Sequence, residues 1–219
     1  MKKNNEIFTK NDCVFDTVDT ADSSGATLRK QARVEQFPCR VTQHGAFHRV
    51  QQLLEHLEFI DTEKVNLHFI GSLQTNKVKY IIDKVAMIHS LDSLSLAQEI
   101  EKQAAKRDRT VDVLCEINCG REESKSGLMP EEAEDFCLSL SDFPHLRLRG
   151  FMTMAPKCEK NEEYQKYFQE TSQLCLDIWQ KKLHNIGRPV LSMGMSGSFE
   201  AAISEGADVV RIGRSLFTP

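Results

Sequence analysis

The chain has 219 residues, 40% of them hydrophobic, which is enough to bury one substantial core in a single α/β domain. Its 28 basic and 32 acidic residues give a net charge of −4, without the basic excess that binding to a nucleic-acid backbone requires. There is no apolar run of membrane-spanning length, and no apolar segment follows the lysines of the first residues. We therefore expect a cytosolic protein that binds neither nucleic acid nor membranes.

From residue 49 onward, strand-like apolar runs alternate with helix-like stretches. The expected strands are 65–71, 86–92, 111–118, 146–154, 190–196 and 208–213. The expected helices are 49–58, 74–84, 93–106, 130–140, a long helix through 164–178 and a short one from Ser198. Repeated βα units imply parallel strands with right-handed crossovers, which close into a barrel or form an open doubly wound sheet. Periodicity alone leaves that choice open.

The first 48 residues fit this pattern poorly. Their only short apolar runs are 13–15 and 39–41, and residues 16–25 have the composition of a loop or a disordered stretch. A barrel would need two further strands from this region. We therefore expect one domain overall, with a divergent segment at 1–48, in which the first two strands are irregular or missing, and a barrel over 49–219.

The cysteines and histidines show no pattern typical of a metal site. The seven cysteines are an odd set without a CxxC pair, which is typical of reduced thiols. His44 and His48 have the spacing of two ligands on one helical turn, but no third ligand is evident. The chain also lacks the G-x-S-x-G, P-loop and G-x-G-x-x-G motifs of serine hydrolases, P-loop NTPases and dinucleotide enzymes.

The strongest functional pattern lies in the last two βα units, LSMGMSGSFEAAISEGADVVRIGRS. Ser196 follows one strand and leads into a helix, while Gly213 and Arg214 follow the next, so backbone donors and hydroxyls can converge on an anion. In a βα-barrel the loops after the last two strands are a recurrent phosphate site. The alternative is an ordinary tight turn in which Ser198 caps the helix.

Arg211 is an arginine within a strand of β-branched residues, so it needs a partner if it points inward. A ligand anion, a ring nitrogen or an ordinary acidic neighbour could supply that partner. A second polar cluster lies in HFIGSLQTNK, where Asn76 could line a ligand and His68 is the kind of histidine that usually packs in a core. Lys125, in the charged loop 118–128, either reaches a pocket mouth or is solvated.

The ordered segments HFIGSLQTNK, HSLDS, INCGREESKSGL, LRGFMTMAP and LSMGMSGSFEAAISEGADVVRIG resemble the pyridoxal phosphate homeostasis protein family. The resemblance covers roughly residues 49 to 217. It implies a single-domain TIM-like (β/α)8 barrel of the alanine racemase type that carries pyridoxal 5′-phosphate (PLP) on a lysine. It also implies a role in intracellular PLP homeostasis, with PLP-dependent apoenzymes as partners and without robust amino-acid catalysis. A weak racemase and a relic that no longer binds PLP are the alternatives.

The resemblance also implies a set of cofactor-binding residues: Asn76, Met193, Ser196, Arg211, Gly213 and Arg214. Within this set, Ser196 and the backbone of the last two residues would hold the phosphate. Arg211 would face the pyridine nitrogen and keep it unprotonated, which weakens the ring as an electron sink.

The resemblance ends where the cofactor lysine should lie. Members of the family carry a first strand of the form A-V-S-K-T, whose lysine forms the Schiff base, and a second strand ending G-E-N-R. Here the stretch reads GATLRKQARVEQFPCRVTQHGAFHRVQQ, with Phe47 and His48 in place of the Glu and Asn. Lys30 is the nearest candidate by interval. A solvated surface lysine is the alternative, because a Schiff-base lysine needs desolvation to lower its pKa.

Overall fold

A computed structural model describes residues 13–15, 43–181 and 188–213 of the chain. Eight strands form one sheet in chain order: β1 (Cys13–Phe15), β2 (Gln43–Phe47), β3 (Val65–Phe69), β4 (Met87–Leu91), β5 (Val111–Ile117), β6 (Leu146–Thr153), β7 (Val190–Met195) and β8 (Val209–Arg211). From β2 to β8 every neighbouring pair is parallel, whereas β1 runs antiparallel to β2. Cα atoms of β1 and β8 approach within 8 Å, so the ends of the sheet meet.

One α-helix follows each parallel strand from β2 to β7. These helices are α1 (Val50–His56), α2 (Val78–Ile81), α3 (Leu94–Ala105), α4 (Ala133–Ser139), α5 (Asn161–Gln180) and α6 (Phe199–Ser204). Short 3-10 turns extend α1, precede α2 and flank α4. The six strands and six helices expected from residue 49 onward are therefore confirmed, and the sheet is a barrel of the (β/α)8 type.

The helices pack because their apolar side chains recur on one face. In α3, the residues Leu96, Ile100 and Ala104 are buried, as their four-residue spacing predicts. In α5, Phe168 and Cys175 are buried in the same way. These stripes cover the outer face of the sheet, which makes the hydrophobic core a layer between strands and helices.

The inner face of the sheet is unusually polar. The Nδ1 atom of His89 in β4 lies 3.1 Å from the Oγ of Ser192 in β7, although two strands separate β4 from β7 in the sheet. A contact between them therefore crosses the interior of the barrel. Residues that alternate with the outer core positions, such as Glu116 between Cys115 and Ile117, face this interior.

The N-terminal region differs in detail from the expectation. Residues 13–15 are a strand, but an antiparallel one, so the irregularity falls on β1. β2, at residues 43–47, lies within the segment expected to diverge, yet it pairs with β3 over five residues in a regular parallel register. The expected domain boundary between residues 48 and 49 stays a prediction. Residues 39–41, the other short apolar run, lie outside the described residues.

His44 and His48 are not arranged on a helix. His44 lies in β2 and His48 in the bend after it, so the helical spacing considered for a metal pair is wrong. Within the described ranges, no group of three or more metal-ligating side chains could hold an ion. Across the same part of the chain, every helix is too short or too polar to cross a membrane, and the cytosolic location stays a prediction.

Candidate functional site

The candidate site lies at the carboxyl end of the parallel strands. Ser196 follows β7, Gly213 follows β8, and Asn76 lies in the 3-10 turn after β3. Because parallel strands all end at the same rim of the barrel, these three residues belong to one face of the molecule. Ser196 is half-buried, Gly213 is buried and Asn76 is exposed.

The turn between β7 and α6 is held by Ser198. Its N–H donates to the carbonyl of Met195 over 2.8 Å, and its Oγ accepts from the N–H of Met195 over 3.1 Å. The hydroxyl thus closes the turn, and it makes no capping hydrogen bond to the described helix that it precedes. The N-cap alternative is right about the position of Ser198 and wrong about what its side chain binds.

Of the two glycines at this turn, only Gly194 determines its shape. Gly194 has φ +89°, and a Cβ added there would lie 2.5 Å from the Cβ of Ala202. Only glycine allows β7 to turn while α6 packs this closely. At Gly197, by contrast, an added Cβ would meet nothing within 4 Å. The backbone around Gly197 is therefore open to a ligand, next to the first N–H groups of α6, which have no partner within their own helix.

Arg211 lies inside the barrel below this turn and is only 3% exposed. Its Nη1 donates to the carbonyl and to the Oγ of Ser192, each over 2.8 Å, and its Nη2 donates to the carbonyl of Thr153, also over 2.8 Å. The guanidinium thus reaches from β8 across β7 to β6. The position of the Arg211 side chain is fixed by these oxygen acceptors. Arg211 therefore points inward, and these protein oxygens are the partners that an inward arginine needs.

Three histidines continue the polar interior beyond Ser192. The Nε2 of His89 lies 2.8 Å from the Nδ1 of His68, whose Nε2 lies 3.1 Å from the Nδ1 of His44. Burial, followed by the field of His44, lowers the pKa of His68 to about 3. Burial, followed by the fields of His68 and Arg211, lowers the pKa of His89 well below its usual value. Both inner rings are therefore neutral at physiological pH.

Glu116 is the acidic member of the interior. It is only 4% exposed, and its carboxyl forms no hydrogen bond or ion pair with any residue that the structure describes. Burial, and then the charge of Asp92, raises the pKa of Glu116 to about 7, while Arg211 opposes the shift. Sequence reasoning missed Glu116 and His89. The sequence could have indicated them, because each is a polar residue in an otherwise apolar strand, at a position that alternates with the outward-facing core residues.

The remaining expected residues divide into three groups. Met193 is buried among the outer core residues between sheet and helices, so its side chain faces away from the interior that Ser192 faces. The position of Met193 near a bound ring stays a prediction, and only its backbone could face such a ring, because neighbouring strand residues face opposite sides. Lys125 is exposed in its loop. Lys30 and Arg214 lie outside the described residues.

Lysines are exposed or only half-buried wherever the structure describes them. None of these lysines belongs to the buried interior of the barrel that contains Arg211 and Glu116. An amine for covalent attachment of a ligand in this interior would therefore have to come from outside the described part of the chain.

The parallel barrel with the buried Arg211 is the arrangement that places this chain in a known class of protein. Residues 39–219 match the family model described as alanine racemase, N-terminal domain, and the chain therefore belongs to that family. Alanine racemase of Corynebacterium glutamicum shares the fold at 15% identity, with a TM-score of 0.60 over 77% of this chain and 45% of that chain.

Comparison with individual proteins narrows the assignment. The chain is 42% identical over 183 residues to the pyridoxal phosphate homeostasis protein of Aquifex aeolicus, covering 84% of this chain and 79% of that protein. It is 39% identical to the protein of the same description from Helicobacter pylori, covering 77% and 74%. PipY of Synechococcus elongatus, solved with PLP bound, is 27% identical, with a TM-score of 0.71 over 79% of this chain and 80% of PipY. Within its family, the chain is a member of the pyridoxal phosphate homeostasis proteins.

Proposed function

We propose that this chain binds PLP at the carboxyl rim of its barrel and serves intracellular PLP homeostasis without robust amino-acid catalysis. The observation that carries the proposal is the buried Arg211, fixed inside the barrel directly below the turn that joins β7 to α6. PLP-dependent apoenzymes are the recipients that we propose for the bound cofactor.

The residues present fit the two polar ends of PLP. Ser196, the open backbone at Gly197 and the backbone of Gly213 would hold the phosphate, with Arg214 as a further predicted donor. Asn76 lies on the same rim, and Met193 would contribute only its backbone. When bound, PLP supplies an aldehyde that reacts with amines and a ring that withdraws electrons.

Arg211 favours binding over catalysis. A guanidinium has five N–H donors and no acceptor, so the group that it faces must accept a hydrogen bond. A pyridine nitrogen facing Arg211 would therefore stay unprotonated, and an unprotonated ring is a weaker electron sink. The arginine would thus hold the ring in the state that withdraws electrons less strongly.

Binding and covalent attachment are separate parts of the proposal. The rim and Arg211 are sufficient for a reversible complex, whereas attachment needs an amine. Lys30 remains the candidate for that role, by interval from the matching region. The racemase alternative needs a lysine base and a second acid or base. Glu116, with its pKa raised to about 7, is the titratable group inside the barrel that such a reaction could use.

The test is to titrate the purified chain with PLP, follow the absorbance of the cofactor, reduce with borohydride and map any modified lysine by mass spectrometry. We expect saturable binding. A Ser196→Asp variant places a negative charge at the proposed phosphate position and should weaken binding at least about tenfold, by a charge repulsion of about 1.4 kcal/mol or more.

Ser141→Asp is the matched control. Ser141 is exposed in the 3-10 turn that precedes β6, at the opposite end of the barrel, so this variant should bind PLP like the wild type. Modification of Lys30 would support covalent attachment, and binding without an adduct would support a rim that lacks its lysine. No PLP binding by a folded wild-type chain overturns the proposal, and racemisation of alanine would favour the enzyme alternative.

A further inference from the structure

A row of polar groups from the buried Arg211 to the half-buried His44 crosses the barrel interior from β8 through β7 and β4 to β3 and β2. Consecutive members lie within hydrogen-bond distance: Arg211 to Ser192 at 2.8 Å, Ser192 to His89 at 3.1 Å, His89 to His68 at 2.8 Å and His68 to His44 at 3.1 Å. Each neutral ring has one donor and one acceptor, so the direction of each bond depends on its neighbour.

Arg211 fixes the direction of the first bond. Its Nη1 can only donate, so the Oγ of Ser192 accepts there. The hydroxyl proton of Ser192 must then go elsewhere, and the Nδ1 of His89 is the remaining side-chain partner within the described residues. If His89 instead donated to Ser192, the hydroxyl would accept twice and leave its own buried proton unsatisfied, which is unfavourable.

The remaining bonds follow from the first. A His89 ring that accepts at Nδ1 carries its proton on Nε2 and donates to the Nδ1 of His68. His68 then carries its proton on Nε2 and donates to the Nδ1 of His44. Both buried rings are neutral, because burial lowers their pKa values, so neither can donate from both nitrogens.

We propose that Ser192, His89, His68 and His44 form a hydrogen-bond relay in which every donor points away from Arg211, and that this relay positions the guanidinium for the ligand. Ser192 and the three histidines are positioning residues, since they act through Arg211. His44, half-buried at the far end, accepts the last hydrogen bond. A proton added to the Nδ1 of His44 would place its N–H opposite the N–H of His68 and would destabilise the whole relay.

The direct test is nitrogen-15 NMR of histidine-labelled protein without any ligand, at neutral pH. We expect His68 and His89 to be neutral rings that carry their proton on Nε2. A proton on Nδ1 of either ring, or a doubly protonated ring, overturns the relay. This measurement does not depend on PLP, so it decides the relay even if the proposed function fails.

Ser192→Ala removes the donor to His89 and one acceptor of Arg211. Because the fixed direction is lost, the His89 signals should shift toward a mixture of the two proton positions. In the part that rests on the proposed function, PLP should bind about tenfold more weakly, as expected for the loss of one charge-assisted hydrogen bond.

Two further variants separate this role from a general packing defect. Ser90→Ala removes a buried hydroxyl next to His89 that has no partner among the described residues, so histidine signals and PLP affinity should match the wild type. Ser192→Thr keeps the hydroxyl and should restore the His89 signals. If Ser192→Ala leaves the proton positions unchanged, or if Ser90→Ala alters them equally, the relay does not exist.

Discussion

Gly194 is a position where one added methyl group should damage the turn of the candidate site. Its φ of +89° lies in the left-handed region, which costs an alanine roughly 1–2 kcal/mol. The new Cβ would also lie 2.5 Å from the Cβ of Ala202 and 3.1 Å from the Cα of Phe199, so α6 must move. Overpacking of this kind costs about 1–3 kcal/mol. We therefore expect Gly194→Ala to destabilise the chain by about 3 kcal/mol.

The assay is thermal and urea unfolding, in which Gly194→Ala should lower Tm by about 6–12 °C. Gly197→Ala is the matched control from the same turn, because its Cβ meets nothing within 4 Å, and its stability should stay within about 0.5 kcal/mol of the wild type. Combining Gly194→Ala with Ala202→Gly removes the overlap of the two Cβ atoms, so a double-mutant cycle should show a coupling of about 1 kcal/mol or more. Equal stability of both glycine variants, or no coupling, would refute the reasoning.

Three further predictions concern buried polar groups. Ser90→Ala should stabilise the chain by about 1 kcal/mol in urea unfolding, because it removes a buried hydroxyl that has no described partner; a clear loss of stability would contradict this. Glu116 has a folded pKa of about 7 against an ordinary 4.5, so its contribution to the free energy of unfolding is complete below pH 4.5. As the pH rises to 7, the free energy of unfolding falls by about 3 kcal/mol because of this group. Glu116→Gln should remove that loss, and an unchanged pH profile would count against a buried carboxyl. The pH dependence from His68 has the opposite sign, since its folded pKa of about 3 lies below the ordinary 6.5. Its contribution to the free energy of unfolding is complete above pH 6.5 and is lost toward pH 3, so His68→Asn should flatten the acid side of the stability profile. Unfolding in urea at a series of pH values would show whether that flattening occurs.

The strands and helices after residue 49 were predictable because apolar runs and four-residue stripes carry the periods of the two structures. β2 was not, because QHGAF holds a glycine, a glutamine and a histidine where a buried parallel strand is usually rich in Val, Ile and Leu. Its pairing with β3 supplies the stability that its own sequence does not indicate.

The rim of the candidate site was predictable from small residues after two successive strands, whereas the interior was not. A strand buried on both faces, such as LSMGM, does not reveal which residues point inward. Barrel closure decides this, and it places Ser192 inside and Met193 outside. The same closure brings His89 and Glu116 from separate strands into one space, a long-range effect that no local spacing reports.

The direction of β1 bears on how a lysine could enter the barrel. Phe15 pairs with His44, so β1 ends where β2 begins, at the floor of the barrel opposite the rim. A strand parallel to β2 would instead deliver its following residues to the rim. Lys30 is 13 residues from Gln43, a span of up to about 45 Å when extended, which is long enough for its amine to reach the rim from the floor of the barrel.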